Sequence, residues 1–433
     1  MRRFAVLLLI ATPLSLSAQT NNWSFRSRIE LRANYRDSNA AKFQLRFPFP
    51  STFLPVGQTV GFEQTVDPGR HGELSVAQIR LDATYGTVFT AHAQLHAIDK
   101  YRRNPTSEDR KIDADELYLR VGPKPDFLDR PAGSSVFLQM GKFPKMERQP
   151  IRLLESYGLA ATAFNRFEDV GFMAGGSIGR GLYWRLQATS GNPLYFRDPN
   201  ALAGDNGIKE LLLPHPDPKL KSGFPILYNT ETEGYFLKTE HMQYGQGIGY
   251  RWQNDAQTYG FDAIAFHYRR TMSSEDSAPL YGTFYGVDID LLNGPLGRSG
   301  LPLRGDKKEE TGARVYVEWH GLTSTLQYTT QSIAGLGRNG AEAEAGYQIR
   351  LGNAVVPSVQ PTVRWSRLRN HFIGDPNLYP APSIWWDWTK IDYGVRIGLP
   401  HNSDLTVERA RHNIASPRKF DAAETLVTLR VRI

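Results

Sequence analysis

Cysteine is absent from the 433 residues, which excludes disulfide frameworks, zinc–thiolate sites, iron–sulfur clusters and a cysteine nucleophile. Beyond Ala18 no window approaches 18 consecutive apolar residues, so the sequence offers no membrane-spanning α-helix. Neither H-E-x-x-H nor a P-loop occurs. Charge of one sign is not in large excess: 51 Lys and Arg face 44 Asp and Glu, a modest formal +7 that by itself says little about partners, and no nucleic-acid partner is expected. Disorder is excluded in turn, because 40% of the residues are hydrophobic and 12% aromatic, enough to bury a core.

The chain opens with MRRFAVLLLIATPLSLSAQT: two arginines, an apolar run from Phe4 to about Leu16, then small Ser17 and Ala18. That order predicts a signal peptide over 1–18, cut after Ser17 or Ala18. A membrane anchor needs about 20 apolar residues and meets Thr12, Pro13 and Ser15 too early. An exported chain without spanning helices is periplasmic, secreted, or a β-barrel in an outer membrane, and period-two patterning separates these.

That patterning runs through residues 19–433. Phe25, Ile29, Leu31, Ala33 and Tyr35 alternate with Arg26, Arg28, Glu30, Arg32 and Asn34. Ala77 to Tyr85, Phe89 to Ala97, Leu182 to Ala188, Ala313 to Trp319, Ala343 to Leu351 and Ile391 to Leu399 repeat it, and weaker stretches bring the expected count to 16–18 strands. Gly86, Gly179 to Gly181, Gly245 to Gly247 and His320 with Gly321 read as tight links. Asp37 to Gly72, Gly191 to Glu233, Leu292 to Glu309 and Arg367 to Asp387 read as long loops. Trp23, Tyr35, Tyr85, Trp184, Tyr250, Trp252, Trp319, Trp365 and Tyr393 fall on the apolar face, several near strand ends where interfacial girdles form. The expectation is an all-β fold, a transmembrane antiparallel β-barrel of 16–18 strands with long extracellular loops. Because an unpaired backbone group is costly in hydrocarbon, the last segment, Val427 to Ile433, is expected to pair with the first.

Such a barrel is too wide for side chains to fill. The polar faces put Arg26, Arg28, Arg32, Arg80, Arg120, Arg185, Arg251, Arg314, Arg364 and Arg396 forward as pore-lining candidates, and an Arg-rich lumen favours anions. The blander reading, cross-strand pairing that hydrates the wall, stays open for each arginine.

Two stretches, VFLQMGKFPKMERQP (Val136 to Pro150) and FNRFEDVGFMAGGSIGRGLYWRLQATSGNP (Phe164 to Pro193), resemble the phosphate-selective porin O and P family. Asp169, Val170, Gly171, Gly191 and Asn192 match it best, and the similarity covers roughly residues 73–193. The resemblance implies a homotrimeric outer-membrane channel for small anionic or hydrophilic solutes, embedded in outer-membrane lipid. It also implies an inward-folded constriction over 144–168, carrying Arg148, Arg152, Glu155 and Arg166. Departures are Glu168 where arginine is usual, and a final Ile433 in place of an aromatic. An alginate-export type of barrel, passing a saccharide or anionic polysaccharide, is the alternative; an outer-membrane hydrolase comes last.

His92 and His96 share a strand face about 13 Å apart by rise, too far for joint metal ligation, and read as hydrated lumenal histidines. No cofactor, metal site or catalytic residue is assigned. Trp385, Trp386 and Trp388 suit either a sugar-stacking pore mouth or a headgroup anchor.

Overall fold

The structure, a computed structural model, describes residues 22–39, 42–46, 60–64, 69–99, 113–123, 133–164, 168–191, 195–196, 227–229, 242–256, 258–271, 280–282, 306–333, 335–371, 387–415 and 420–433. The expected signal peptide, Arg166, Trp385 and Trp386 lie outside them.

Sixteen antiparallel strands form one closed sheet: β1 Trp23–Asn39, β2 Gly69–Tyr85, β3 Phe89–Asp99, β4 Asp113–Val121, β5 Ser135–Pro144, β6 Glu168–Ile178, β7 Leu182–Thr189, β8 Gln243–Gln253, β9 Tyr259–Thr271, β10 Lys307–Trp319, β11 Leu322–Ile333, β12 Leu336–Tyr347, β13 Ser358–His371, β14 Asp387–Leu399, β15 Ser403–Ala415 and β16 Phe420–Arg432. Ile349–Arg350 resumes β12 after a break and pairs with the same neighbour, β13. Each strand pairs with its sequence neighbours, and β16 pairs with β1 from Glu30↔Arg432 to Asn39↔Ala423. Ile29 and Ile433 exchange both backbone hydrogen bonds at 2.9 Å, so the chain's last residue seals the ring. Closure removes the sheet edge that hydrocarbon would leave unpaired.

Alternation decides which face meets lipid. In β1 Leu31, Ala33 and Tyr35 are exposed while Glu30, Asn34, Arg36 and Ser38 are buried inside. The same inversion of a soluble protein's pattern holds in β11, where Leu326 and Tyr328 face out and Thr325, Gln327 and Thr329 face in. Register shifts between Arg32 and Ala33, Ala77 and Gln78, and Gln94 and Leu95 mark bulges in the first three hairpins, which bend the wall locally. Among the described residues no helix is long and apolar enough to cross a membrane. The apolar outer band and the closed sheet make this an outer-membrane protein.

Three details differ from the sequence reading. Gly245 and Gly247 are no turn; they lie inside β8, facing inward with Gly249. A Cβ would come within 2.4 Å of the Tyr268 ring at Gly245, 2.5 Å of Met146 Sδ at Gly247 and 2.3 Å of the Tyr183 ring at Gly249, so glycine here is a matter of space. Two links on the long-loop side, 334–335 and 416–419, are short, and one on the other side, 122–134, is long. Strand pairing also runs into all four expected long loops: to Asn39, to His371, back to Lys307, and between Tyr195–Phe196 and Leu227–Tyr228.

Candidate functional site

After β5, Pro144 ends the pairing with β6 and the chain turns into the barrel. Residues 145–164 run through the interior and include one short helix, α1 Leu159–Ala163. Leu153, Leu154, Leu159, Ala160 and Phe164 are buried against the wall. Because this backbone is mostly irregular, its N–H groups need partners outside the segment. Wall acids supply them. Leu153 N donates to Glu344 (2.9 Å), Glu155 N and Ser156 N donate to the two oxygens of Glu408 (2.7 and 2.8 Å), and Ala160 N donates to Glu342 (3.3 Å). Basic groups take the carbonyls: Arg364 donates to Ser156 O (2.9 Å) and Lys390 to Tyr157 O (2.7 Å). Gly158 passes so close that a Cβ would overlap the Glu342 carboxylate.

The Glu155 side chain is the electrostatic hub. Arg32 lies at 3.1 Å, Arg430 at 3.3 Å, Arg396 at 3.5 Å and Arg152 at 3.8 Å from its carboxylate. Burial alone would raise its pKa, but Arg32, Arg430, Arg152 and Arg396 together outweigh that and hold the carboxyl well below the usual range. At the entrance Arg148 donates to both Glu116 (3.0 Å) and Glu168 (2.8 Å), so the glutamate that departs from the family pattern is a segment anchor.

Between this segment and the short-turn rim lies a cavity of about 1260 Å³. Its lining carries eleven Lys and Arg against four Asp and Glu. The imbalance follows from the anchoring: Glu342, Glu344 and Glu408 are taken up by the segment's backbone, while the arginines remain at the surface of the space. Glu155, Glu168 and Asp262 neutralise part of the lining, Asp262 by pairing with Arg251 and Arg314 at 2.6 Å each and accepting from Tyr183 (3.0 Å). Cations still prevail.

Of the ten wall arginines singled out in the sequence, Arg28, Arg32, Arg80, Arg251, Arg314 and Arg396 line the cavity, as do Arg148 and Arg152 of the segment. Arg364 faces inward but is sealed, paired with Glu344 (3.1 Å) and Asp392 (2.9 Å) beneath the segment. Arg120 is covered and Arg185 half-buried, both stacked over Phe137 at 3.4 and 4.9 Å. Arg26 is exposed near the short-turn end of β1, outside the cavity lining. Lys145, Arg430 and Arg432, missing from that set, belong to the lining; strand parity alone marked the last two. Glu408 was missed as well, although Asp404 and Thr406 on the same face of β15 place it inside.

His92 and His96 face the interior, buried and paired with acids: His92 bridges Asp82 (2.8 Å) and Glu116 (3.3 Å), and His96, in the cavity lining, meets Asp115 (2.9 Å). Trp388 is 1% exposed and shares its parity with Lys390 and Asp392, so it neither anchors in lipid nor offers a face to a sugar. Gly175 to Gly179 has the G-x-S-x-G spacing of a hydrolase nucleophile. Here it runs down β6 into a hairpin rather than a strand-to-helix elbow, and Ser177 Oγ is held by Ser135 Oγ (2.7 Å) and Gly133 O (2.8 Å). Among the described residues no cluster of His, Asp and Glu could hold a metal ion.

No family model matches the chain and no curated protein does. Solved structures do. The outer-membrane channel DcaP of Acinetobacter baumannii is similar with a TM-score of 0.52 at 7% identity, over 95% of this chain and 98% of that one. OmpF of Salmonella typhi, in complex with daunomycin, gives 0.48 at 11% identity over 94% and 97%. OprB of Pseudomonas putida gives 0.47 at 8% identity over 94% of each chain. At such identities the likeness to DcaP establishes one thing: this chain has the fold of an outer-membrane channel barrel.

Proposed function

We propose that the protein is an outer-membrane porin through which small hydrophilic solutes diffuse passively, with a preference for anions of the phosphate or carboxylate kind. One observation carries the reading: eleven basic groups against four acidic ones around the interior cavity. Low-dielectric walls focus such a charge excess and raise the local concentration of anions, and guanidinium matches oxyanion geometry. Sixteen strands also leave room for a water-filled path. Segment 145–164 narrows that path, and Arg148, Arg152 and Glu155 set its charge. The resemblance to phosphate-selective porins supports the same reading, including assembly as a homotrimer. The saccharide alternative loses an argument, since Trp388 is buried in the wall.

Planar-bilayer recording tests this. Stepwise conductance is expected, with a reversal potential in asymmetric KCl that reports chloride over potassium. The double variant Arg28→Gln/Arg80→Gln is expected to shift that potential toward cation preference with the barrel intact. Both arginines line the cavity, and Arg80 is held by Gln94 (2.6 Å) rather than by an acid. Cation selectivity in the unaltered protein overturns the proposal. Added phosphate that blocks chloride current in the millimolar range or below identifies the anion class. Cross-linking in native membranes reads the oligomeric state.

A further inference from the structure

The outward faces of β3, β4 and β7 carry no Lys, Arg, Asp or Glu among the described residues whose side chains are placed. The faces of β13 and β15 differ. Trp365 on β13 and Tyr393 on β14 are exposed on the lipid side. Just beyond them, toward the long loops, Arg367 and Arg369 follow on β13, while Arg409 and Arg411 stand on β15 opposite Tyr393 and Ile391. Long loops mark the extracellular side of such barrels and aromatic girdles mark the headgroup level. Arg409 and Arg411 are therefore level with these aromatics, at the outer-leaflet interface, and Arg367 and Arg369 lie just past them. A charge on the lipid face is costly at mid-depth and nearly free there.

Local partners do not absorb all of this charge. Arg369 reaches Asp387 at 3.4 Å, and Arg409 donates to Thr425 Oγ1 at 2.5 Å. Asp421, the other acid on this part of the face, accepts from Asn413. Arg411 is exposed and flanked in register by Ile391 and Ala423; Arg367 is flanked by Ala341 and Thr389 and stands near Trp365, 6.0 Å from its ring. The two lie one strand apart from contact, about 10 Å across the sheet and about 7 Å along it, so two arginine side chains can converge on one phosphorylated group.

We propose that the outer face of β13 to β15, at the aromatic girdle and just past it, binds the phosphate groups of the glycolipid that forms the outer leaflet, with Arg367 and Arg411 as its main ligands. Charge complementarity selects this occupant: at that depth the anions on offer are headgroup phosphates, and guanidinium grips a phosphate bidentately. The site does not depend on conduction through the barrel.

The test uses the full chain, purified in detergent and stripped of lipid, with heat-modifiable electrophoretic mobility confirming that each variant is folded. Native mass spectrometry titrates it with the diphosphorylated glucosamine-disaccharide lipid and with its dephosphorylated form. The phosphorylated lipid is expected to bind at least about tenfold more tightly. R367Q/R411Q is expected to lose that preference, and R367K/R411K to keep most of it because the charge remains. The proposal falls if the unaltered chain shows no preference, if the glutamine variant keeps it, or if the lysine variant loses as much as the glutamine variant. It falls equally if equimolar inorganic phosphate displaces the lipid, which would make this a simple anion site. Because the chain lacks cysteine, R367C/R411C also reports whether a second copy covers this face: disulfide-linked dimers in native membranes would overturn lipid as the occupant.

Discussion

A single carboxylate, Glu155, gathers Arg32, Arg152, Arg396 and Arg430 at the centre of the barrel, and the behaviour of the inward segment turns on it. Glu155→Gln keeps the shape and removes the charge, leaving arginines that pair elsewhere only in part. Removing one partner of a buried ion pair costs several kcal/mol; since Arg32 and Arg396 border the cavity, the cost expected here is up to about 3 kcal/mol. The measurements are single-channel conductance, expected to rise and become noisy, and the heat needed to unfold the barrel, expected to fall. An unchanged trace and an unchanged unfolding temperature would remove Glu155 from this role. The pH dependence has a definite sign. Folding lowers this carboxyl below its ordinary value of 4.5, so its contribution is complete above that value and lost only as pH falls through the lower, folded one. The Glu155-dependent part of the conductance is therefore expected to stay level from about pH 8 to about pH 5, and to change only in stronger acid.

At the scale of the element, glycine placement sets how closely strands and segment approach. Gly141 in β5 has φ +125°, and a Cβ there would lie 2.2 Å from Leu117 O and 2.8 Å from Tyr118 Cα, both backbone atoms of β4 that cannot swing away. Gly141→Ala is expected to destabilise the β4–β5 pairing by about 1–3 kcal/mol, read as a lower denaturant midpoint with conductance per open channel unchanged. Gly247 in β8 is the converse case. Its obstacle is Met146 Sδ at 2.5 Å, the flexible end of a side chain on the inward segment. Gly247→Leu is expected to move the segment, so conductance changes while the barrel's unfolding temperature stays near that of the unaltered protein. Equal effects of the two substitutions on stability would contradict this division.

For the whole molecule, closure is the cooperative event. The β1–β16 pairing joins residues about as far apart in the chain as any two can be, from Glu30↔Arg432 to Asn39↔Ala423. Deleting 424–433 leaves open edges on β1 and β15, each a row of unpaired backbone groups that lipid cannot satisfy. Such a chain is expected to lose its heat-modifiable band and fail to insert into bilayers. A truncated chain that still conducts would mean the ring closes otherwise.

Much of this architecture was legible along the chain, because strand parity is a local property: a side chain two residues on points the same way whatever the rest of the protein does. Parity set the apolar face, the inward arginines and the closing role of Val427 to Ile433. It failed at Gly245 to Gly247, where glycines resemble a turn and the true reason, room for Tyr268 and Met146, comes from distant residues. It also could not tell Arg396, which lines the cavity, from Arg364, which is sealed against Glu344 and Asp392. Both face inward; the difference is where segment 145–164 lies. The sequence by itself determined the two-faced strands and hence a barrel in a membrane, since period two needs only neighbouring residues. Only the tertiary structure decided which charges meet water, because that depends on which wall acids the inward backbone takes as its hydrogen-bond partners.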